Sequence, residues 1–298
     1  MKLATGVVND HISYLDNGLL GAAGFGSTYL VRGTELAIVE TGTSLCAPDV
    51  LAGLAQLGVR PTDIRHIVLT HVHMDHAGGA GTLARQMPDA NVYLHSLTIP
   101  HLIDPSKLLA SAARALGALF PAHGTLEPLA SDRLYPAEEL RLDLGHDVVL
   151  QAIYTPGHSP DHLSYLDLAS GAFFTGDAVG VDLPVYRYLG PVTPPPAIDV
   201  DLQQRTFEQL LELPIKQLLF SHFGPAQADP HSVIEQLRDR YTQFTQLVRA
   251  GVEVGHVDEA AILRTMLKTD DLPDDAAWVL AGWINMSIRG MTRYWSKQ

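Results

Sequence analysis

The sequence feature that most constrains the fold of this chain is a nine-residue stretch at 71–79, which reads HVHMDHAGG. It follows directly on an apolar, β-branched run that predicts a buried strand. Residues two apart in an extended segment point to the same side, so His71 and His73 are expected to share one direction. Asp75 and His76 come after the strand, where the chain can turn back towards the same point. Imidazoles and a carboxylate this close together are typical ligands of zinc, iron or manganese.

Three later segments repeat this arrangement, in which an apolar, strand-like run is followed by a side chain that can bind metal. The side chains concerned are His158, Asp177 and His222. Ligands that follow several strands lie on one rim of a sheet, where strands hold them rigidly and loops can adjust them. The alternative is a solvated polar loop at 71–76, but that interpretation leaves the three distant companions unexplained. The sequence therefore predicts one metal centre built from four parts of the chain.

In order and type, these residues resemble the metal-binding signature of the metallo-β-lactamase superfamily. The resemblance covers residues 10 to 230 and is greatest to the glyoxalase-II-like and related hydrolase branch. It implies seven metal ligands, which are His71, His73, Asp75, His76, His158, Asp177 and His222. It also implies the fold of the superfamily, an α/β four-layer αββα sandwich of two mixed β-sheets. The predicted order of strands and helices agrees with that architecture.

The resemblance further implies how the ligands are divided between two divalent metal ions. The first ion would be held by His71, His73 and His158, the second by Asp75, His76 and His222, and both by a bridging Asp177. Two such ions about 3.5–4 Å apart share a hydroxide that forms near neutral pH and attacks an ester-like bond. Asp75 and Asp177 are thus the predicted catalytic carboxylates. Zinc is the first choice of metal, with iron and manganese as alternatives.

Three interpretations of the function remain open. The leading one is a dinuclear metal-dependent hydrolase acting on a thioester or a lactone. The superfamily also contains persulfide dioxygenases with one iron, for which His71, His158 and Asp177 would supply the ligands. The third is a non-catalytic metal-binding scaffold, which the unbroken set of ligands disfavours.

Several residues near the ligands are predicted to have supporting roles. His162 repeats four residues after His158 and is expected to orient a ligand by hydrogen bonding. Glu40 stands where the superfamily usually has an aspartate in an Asp-x-Gly turn. Substrate contacts are predicted at Tyr186 and Tyr188, in an irregular proline-rich loop at 178–198, and at His123. Basic residues that would bind the carboxylates of a glutathione thioester are Arg264, Lys268, Arg289 and Arg293.

Composition and charge indicate the kind of partner. Hydrophobic residues make up 46% and charged residues 18% of the 298 residues, which is typical of a globular chain with a substantial core. A net charge of −13 argues against nucleic acid or an anionic membrane and favours a small-molecule substrate. Cys46 is the only cysteine, so no intrachain disulfide is expected. Since no secretory signal or membrane span is recognisable, the cytoplasm is the expected location.

The pattern of the remaining chain predicts two runs of strands, each with helices, followed by a purely helical region. The predicted strands outside the motifs are 12–15, 25–32, 36–40, 90–95, 139–142, 147–154, 162–167 and 171–175. The predicted helices are 48–58, 81–87, two within 97–119, 231–251, 258–268 and 274–295. We therefore expect an αββα domain at 1–229 and a C-terminal helical region at 230–298 packed on it.

The last predicted helix has an apolar stripe at helical spacing, formed by Leu280, Ile284, Ile288, Met291 and Trp295. This stripe is expected to pack on the core or on a second copy of the chain in a homodimer. Trp278 and Trp283 lie off the stripe, which predicts a second contact surface, either a dimer interface or a wall of the substrate site.

Overall fold

The computed structural model describes residues 4–267 and 274–298. Its first sheet has seven strands that lie side by side in chain order: β1 (Thr5–Val7), β2 (Ile12–Asp16), β3 (Ser27–Arg32), β4 (Leu36–Val39), β5 (Ile64–Val68), β6 (Asn91–Leu94) and β7 (Leu134–Pro136). Strands β1 to β4 pair antiparallel, and β4 to β7 pair parallel. Parallel neighbours need crossover connections, which helices supply here.

The second sheet has six strands, and a separate two-stranded hairpin lies between its parts in the chain. These elements are β8 (Arg141–Gly145), β9 (Val148–Tyr154), β10 (Leu163–Asp167), β11 (Ala172–Gly176), β12 (Val181–Leu183), β13 (Tyr188–Gly190), β14 (Gln217–Phe220) and β15 (Gly224–Pro225). The order in the sheet is β15-β14-β11-β10-β9-β8, and β12 and β13 form a separate two-stranded sheet. The β11–β14 pair is parallel and the other pairs are antiparallel.

Helices connect the strands and complete the chain. They are α1 (Ala47–Gln56), α2 (Met74–Ala77), α3 (Ala80–Gln86), α4 (Ile99–Ile103), α5 (Ser106–Leu116), α6 (Val200–Glu212), α7 (Pro230–Glu253), α8 (Glu259–Leu267) and α9 (Asp274–Trp295). Within the described ranges, no helix combines the length and the hydrophobicity needed to span a membrane.

The two sheets pack face to face through a shared apolar core. Its buried residues come from both sheets, and the rings of Tyr29 on β3 and Phe174 on β11 meet edge to face at 5.3 Å between centroids. The hydroxyl of Tyr29 donates to the carbonyl of Phe220 in the other sheet, over 2.7 Å. The hydroxyl of Tyr165, on β10 of the second sheet, donates to the carbonyl of Leu69, which follows β5 of the first sheet, over 2.8 Å. Each of these buried tyrosines thus links the two sheets, and its hydroxyl group has a hydrogen-bond partner.

A second, larger core joins the outer faces of the sheets to the helices. The predicted fold, a sandwich of two mixed sheets with helices outside and a C-terminal helical extension, is confirmed. The prediction of an irregular segment at 178–198 was wrong in part, because the hairpin of β12 and β13 forms there. The boundary between 1–229 and 230–298 stays a prediction, as does the end of the helix predicted at 258–268, since Lys268 lies outside the described residues.

The apolar stripe of α9 is buried over most of its length. Leu280, Ile284, Ile288 and Met291 are 0–4% exposed. The amide of Thr193 donates to the hydroxyl of Ser287 on α9, over 3.1 Å. This contact holds α9 beside the segment that follows β13, and it brings the middle of α9 next to the rim of the sheets.

Candidate metal centre

The histidines that follow β5 and β9 converge on one point at the rim of the sandwich. Nε2 of His71 lies 2.8 Å from Nδ1 of His73, and Nε2 of His158 lies 2.9 Å from the same Nδ1. His71 and His73 sit in the loop between β5 and α2, whereas His158 follows β9. The ligating nitrogens of all three lie within 4.8 Å of one another. Three nitrogens at this spacing form the type of ligand set that holds zinc.

Asp177, directly after β11, lies between this trio and a second group of ligands. Its Oδ2 is 3.4 Å from Nε2 of His158 and 3.5 Å from Nε2 of His76, while its Oδ1 is 3.5 Å from Nε2 of His222. Asp75 completes the second group, with its Oδ2 3.6 Å from Nε2 of His222. The structure therefore brings all seven predicted ligands into one cluster.

Hydrogen bonds on the far side of each ring fix which nitrogen faces the centre. Nδ1 of His158 donates to the carbonyl of Val192 and Nδ1 of His222 donates to the carbonyl of Phe25, both over 2.9 Å. A carbonyl only accepts, so the proton is on Nδ1 and Nε2 faces the other ligands. Such outer hydrogen bonds are the usual way in which proteins orient metal-ligating histidines.

Glu40 performs this orienting role for the histidines after β5. Its Oε1 accepts hydrogen bonds from Nδ1 of His76 (3.1 Å), the hydroxyl of Thr70 (2.6 Å) and the hydroxyl of Ser221 (3.0 Å). Because the hydroxyl proton of Thr70 goes to Glu40, its oxygen accepts from Nδ1 of His71 at 2.9 Å. The backbone of Glu40 is left-handed, with φ 68°, a conformation that costs a non-glycine residue about 1–3 kcal/mol. These polar contacts help to hold it there.

His162 lies behind Asp177 and not among the ligands. It accepts a hydrogen bond from the backbone amide of Asp177 and contacts the hydroxyl of Thr155 through Nδ1. Asp161 connects two ligand loops, since its Oδ2 accepts a hydrogen bond from the amide of Val72 over 2.9 Å. Both side chains are buried and hold the geometry of residues that carry ligand atoms.

Burial and charge set the protonation of the cluster. Burial is the main cause that lowers the pKa of His71 well below its ordinary value, and burial with the neighbouring His158 lowers the pKa of His73 to about 4. Burial opposes charge on His76 as well, but Asp177, Glu40 and Asp75 outweigh it and hold its pKa well above the ordinary value. Burial would raise the pKa of Asp177, yet His76, His222 and His158 together hold it well below its usual range.

The donor set fits divalent metal ions. Four buried imidazoles direct Nε2 inwards, His73 directs Nδ1 inwards, and two carboxylates stand beside them. Within the described part of the chain, Oδ1 of Asp177 accepts no hydrogen bond although it is buried. A buried carboxylate oxygen without a donor is costly unless a cation satisfies it. Imidazole nitrogens with carboxylate oxygens suit zinc, iron or manganese, and an ion bound at His76 would displace its second proton.

A cavity of 270 Å³ opens beside the cluster. Among the predicted ligands, His73, Asp75, His158, Asp177 and His222 line it. Its other walls come from α5, from the proline-rich segment after β13 and from α9. The ligand cluster is therefore accessible from one side, where a small molecule can reach it.

Of the three predicted substrate contacts, one lines the cavity and two are buried elsewhere. His123 lines the cavity, and its Nδ1 donates to the carbonyl of Leu119 over 2.9 Å. Tyr186 and Tyr188 are buried and do not belong to the described lining of the cavity. The ring of Tyr186 packs on Phe25 at 4.6 Å between centroids. These two tyrosines thus lie in the core under the rim rather than in the wall of the cavity.

Helix α9 also lines the cavity, with one residue for which the sequence left a dimer interface or a wall of the substrate site open, and one residue that it did not assign to the site. Trp283, one of the two tryptophans predicted to form a second surface, lies 5.0 Å from His222 between ring centroids. Met286, one helical turn further along α9, lies in the same wall. Trp278 is 55% exposed instead. A helical wheel of α9 separates these side chains from the buried stripe, but it does not reveal what they face.

Two mixed sheets with a multi-histidine, two-carboxylate cluster on their rim define a metal-binding αββα protein. Residues 21–222 match the family profile of the metallo-beta-lactamase superfamily. The chain belongs to this superfamily.

The comparisons with individual proteins agree with this assignment. The chain is 32% identical over 212 residues to metallo-beta-lactamase fold-containing protein ST1585 of Sulfurisphaera tokodaii. This alignment covers 69% of this chain and 76% of ST1585. The crystal structure of ST1585 superposes with a TM-score of 0.74, covering 94% of this chain and 98% of that chain at 25% identity.

Two further relatives carry names that describe an activity. Thioesterase pkgB of Emericella nidulans is 30% identical over half of this chain, and the matched part is 36% of its length. The atrochrysone carboxyl ACP thioesterase of Aspergillus fumigatus is 26% identical over 52% of this chain, which corresponds to 31% of its length. This chain therefore spans about a third of the length of these two relatives.

Proposed function

We propose that this chain is a hydrolase that holds two divalent metal ions, zinc first, and cleaves a thioester, with a lactone as the second substrate class. The observation that carries the proposal is the position of Asp177 between the two ligand groups. Its two oxygens face different histidines, Oδ2 towards His158 and His76 and Oδ1 towards His222. A carboxylate in that position would be shared by two bound ions.

Bound metal ions would supply a hydroxide nucleophile near neutral pH and polarise the carbonyl of the substrate. The residues of the chain would hold the ions and position the substrate. His71, His73 and His158 would hold one ion, and Asp75, His76 and His222 the other. The cavity would hold the substrate carbonyl against this cluster. A thiolate is a good leaving group, so no protein acid is required for its departure.

Two observations support a thioester in particular. Relatives that match half of this chain are named as thioesterases. The cavity opens on Asp177 and on ligands of both groups, so a carbonyl that enters it meets the bridging position. The order of the ligands also supports a place near the glyoxalase-II-like hydrolases.

The test measures metal content and three activities on one preparation. The protein is purified without added metal, its metals are counted by mass spectrometry, and it is assayed with thioesters, with lactones and for oxygen consumption with a persulfide. We expect two metal ions per chain and thioester hydrolysis that a chelator removes and zinc restores. A variant at an exposed histidine, His256→Ala, is the matched control for substitutions of ligand histidines.

Two outcomes contradict the proposal. One iron per chain with oxygen consumption would assign the persulfide dioxygenase reaction, with His71, His158 and Asp177 as its ligands. Bound metal without any of the three activities would indicate a non-catalytic scaffold.

A further inference from the structure

The cavity beside the metal-ligand cluster has two apolar walls, one from α5 and one from α9. Leu108, Ala112 and Leu116 of α5 form the first wall, and Trp283 and Met286 of α9 form the second. Residues four apart lie on one face of a helix, so α5 turns an apolar face to the cavity. A cavity of roughly 150 Å³ already binds benzene. At 270 Å³ this one has room for a medium-length chain or two fused rings.

Helix α5 has no fully buried side chain. Leu108, Ala112 and Leu116 are only partly buried, although each of them faces the cavity. A partly exposed apolar helix face is stabilised when an apolar group displaces water from it. The helix is therefore suited to cover the hydrocarbon part of a ligand whose reacting end lies at the cluster.

The walls formed by α5 and α9 offer no basic partner to an anionic group on the acyl part. The described lining of the cavity contains no lysine or arginine, and the positive charge of the proposed metal ions lies at the ligand cluster, not between α5 and α9. Arg264, Arg289 and Arg293 are exposed to solvent and do not belong to this lining. A carboxylate buried between α5 and α9 would lose its hydration without gaining a basic partner.

We propose that this cavity binds the acyl part of the substrate and selects neutral, apolar acyl groups of medium length. The inference rests on the proposed thioester hydrolysis and names the substrate class of that site. The acyl carbonyl lies at Asp177, the tail lies between α5 and α9, and the carrier thiol extends outwards.

The first test is a series of acyl thioesters of one neutral carrier, N-acetylcysteamine, from acetyl through butyryl and hexanoyl to octanoyl. We expect kcat/KM to rise by about fourfold for each added methylene until the cavity is filled. The succinyl thioester, similar in length to the butyryl compound but anionic, is expected to react at least tenfold more slowly than butyryl. Equal rates for succinyl and butyryl, or for acetyl and octanoyl, would overturn the inference.

The second test is a pair of matched substitutions on α5. Ala112→Phe fills the cavity, whereas Ala110→Phe adds the same side chain at an exposed position of the same helix. We expect the ratio of octanoyl to acetyl kcat/KM to fall by about tenfold or more in Ala112→Phe and to remain unchanged in Ala110→Phe. Identical ratios in both variants would mean that the acyl tail does not lie against α5.

A binding measurement separates this inference from the proposed hydrolysis. Octanamide, which is neutral and lacks a thioester, is titrated into the purified protein in a calorimeter, with butanamide and the monoamide of octanedioic acid, whose tail ends in a carboxylate, for comparison. We expect octanamide to bind most tightly and Ala112→Phe to abolish the binding. If no thioester is cleaved while octanamide binds in this way, the proposed hydrolysis fails and the apolar acyl site stands. If the monoamide with the anionic tail binds as well as octanamide, the charge argument is wrong.

Discussion

The backbone amide of Asp177 donates a hydrogen bond of 2.9 Å to Nε2 of His162. The proton of His162 is therefore on Nδ1, which donates to the hydroxyl of Thr155 over 2.8 Å. Gly176, which directly precedes Asp177, has φ 52°. A Cβ on Gly176 would lie 2.5 Å from Nε2 of His162. His162 thus holds the backbone that carries the bridging carboxylate, and only glycine fits beside it.

His162→Ala is expected to weaken metal binding without removing a ligand atom. The amide of Asp177 would be left buried without its acceptor, at a cost of about 1–3 kcal/mol. Loss of such an outer partner typically lowers metal affinity by about 10–100-fold. Titration against a chelating dye and a melting curve measure both effects, with exposed His256→Ala as control. Wild-type affinity in His162→Ala would show that the hydrogen bond has no role in the site.

Asp177→Asn is expected to disrupt the binding of both metal ions, because both ligand groups face this carboxylate. The amide is neutral and is a poorer ligand than the ionised acid. Metal analysis should give clearly fewer than two ions per chain. Asp239→Asn, at an exposed position of α7, is the matched control. If Asp177→Asn keeps two ions, Asp177 does not bridge.

His222→Ala is expected to lower the metal content from two ions towards one and to reduce thioester hydrolysis by orders of magnitude. His222 faces Asp75, His76 and Asp177 but not the trio of His71, His73 and His158. A melting curve distinguishes loss of the second ion from misfolding. Unchanged metal content and activity would favour the mononuclear interpretation.

Ile284→Asp is expected to destabilise the protein strongly, because Ile284 is already buried within a single chain. The side chain is 4% exposed, and a charge buried in an apolar contact without a partner costs several kcal/mol. Asn285→Asp introduces the same charge at the neighbouring, less buried position of α9 and serves as the control. Thermal unfolding and the mass in solution are the measurements. A variant that melts and sediments like the wild type would refute the burial of this helix face.

Cys46 is expected to resist thiol reagents in the folded protein. Burial raises the pKa of its thiol to about 11 and leaves the side chain 1% exposed. A raised pKa means that almost no reactive thiolate exists at pH 8, and the fraction rises only as the pH approaches 11. Labelling should be slow in native protein and fast after denaturation, and rapid native labelling at pH 8 would contradict the described burial.

The metal ligands could be predicted from sequence because each group of them comes shortly after an apolar strand, which places the group on the rim. His71, His158 and Asp177 illustrate this, since they come shortly after the ends of β5, β9 and β11. The superfamily and the fold followed from the same residues and are confirmed. The seven metal-binding roles stay predictions, although the structure places all seven side chains together.

The wall of the cavity could not be predicted in the same way. Tyr186 lies in a segment without periodicity, so nothing in the sequence indicated that its ring turns inwards onto Phe25. Trp283 and Leu108 lie on helices whose apolar faces are visible in the sequence. Which neighbour each face meets depends on how α5 and α9 pack over the sheets, and this is decided by tertiary contacts.

The ligands are divided between the sheets, since His71, His73 and His76 follow β5 of the first sheet, and His158, Asp177 and His222 follow β9, β11 and β14 of the second. An ion bound by both sets would join the two halves of the sandwich. A ligand that binds only the folded chain adds its binding free energy to the stability. The metal supply would then govern the lifetime of the protein against proteolysis as well as its activity.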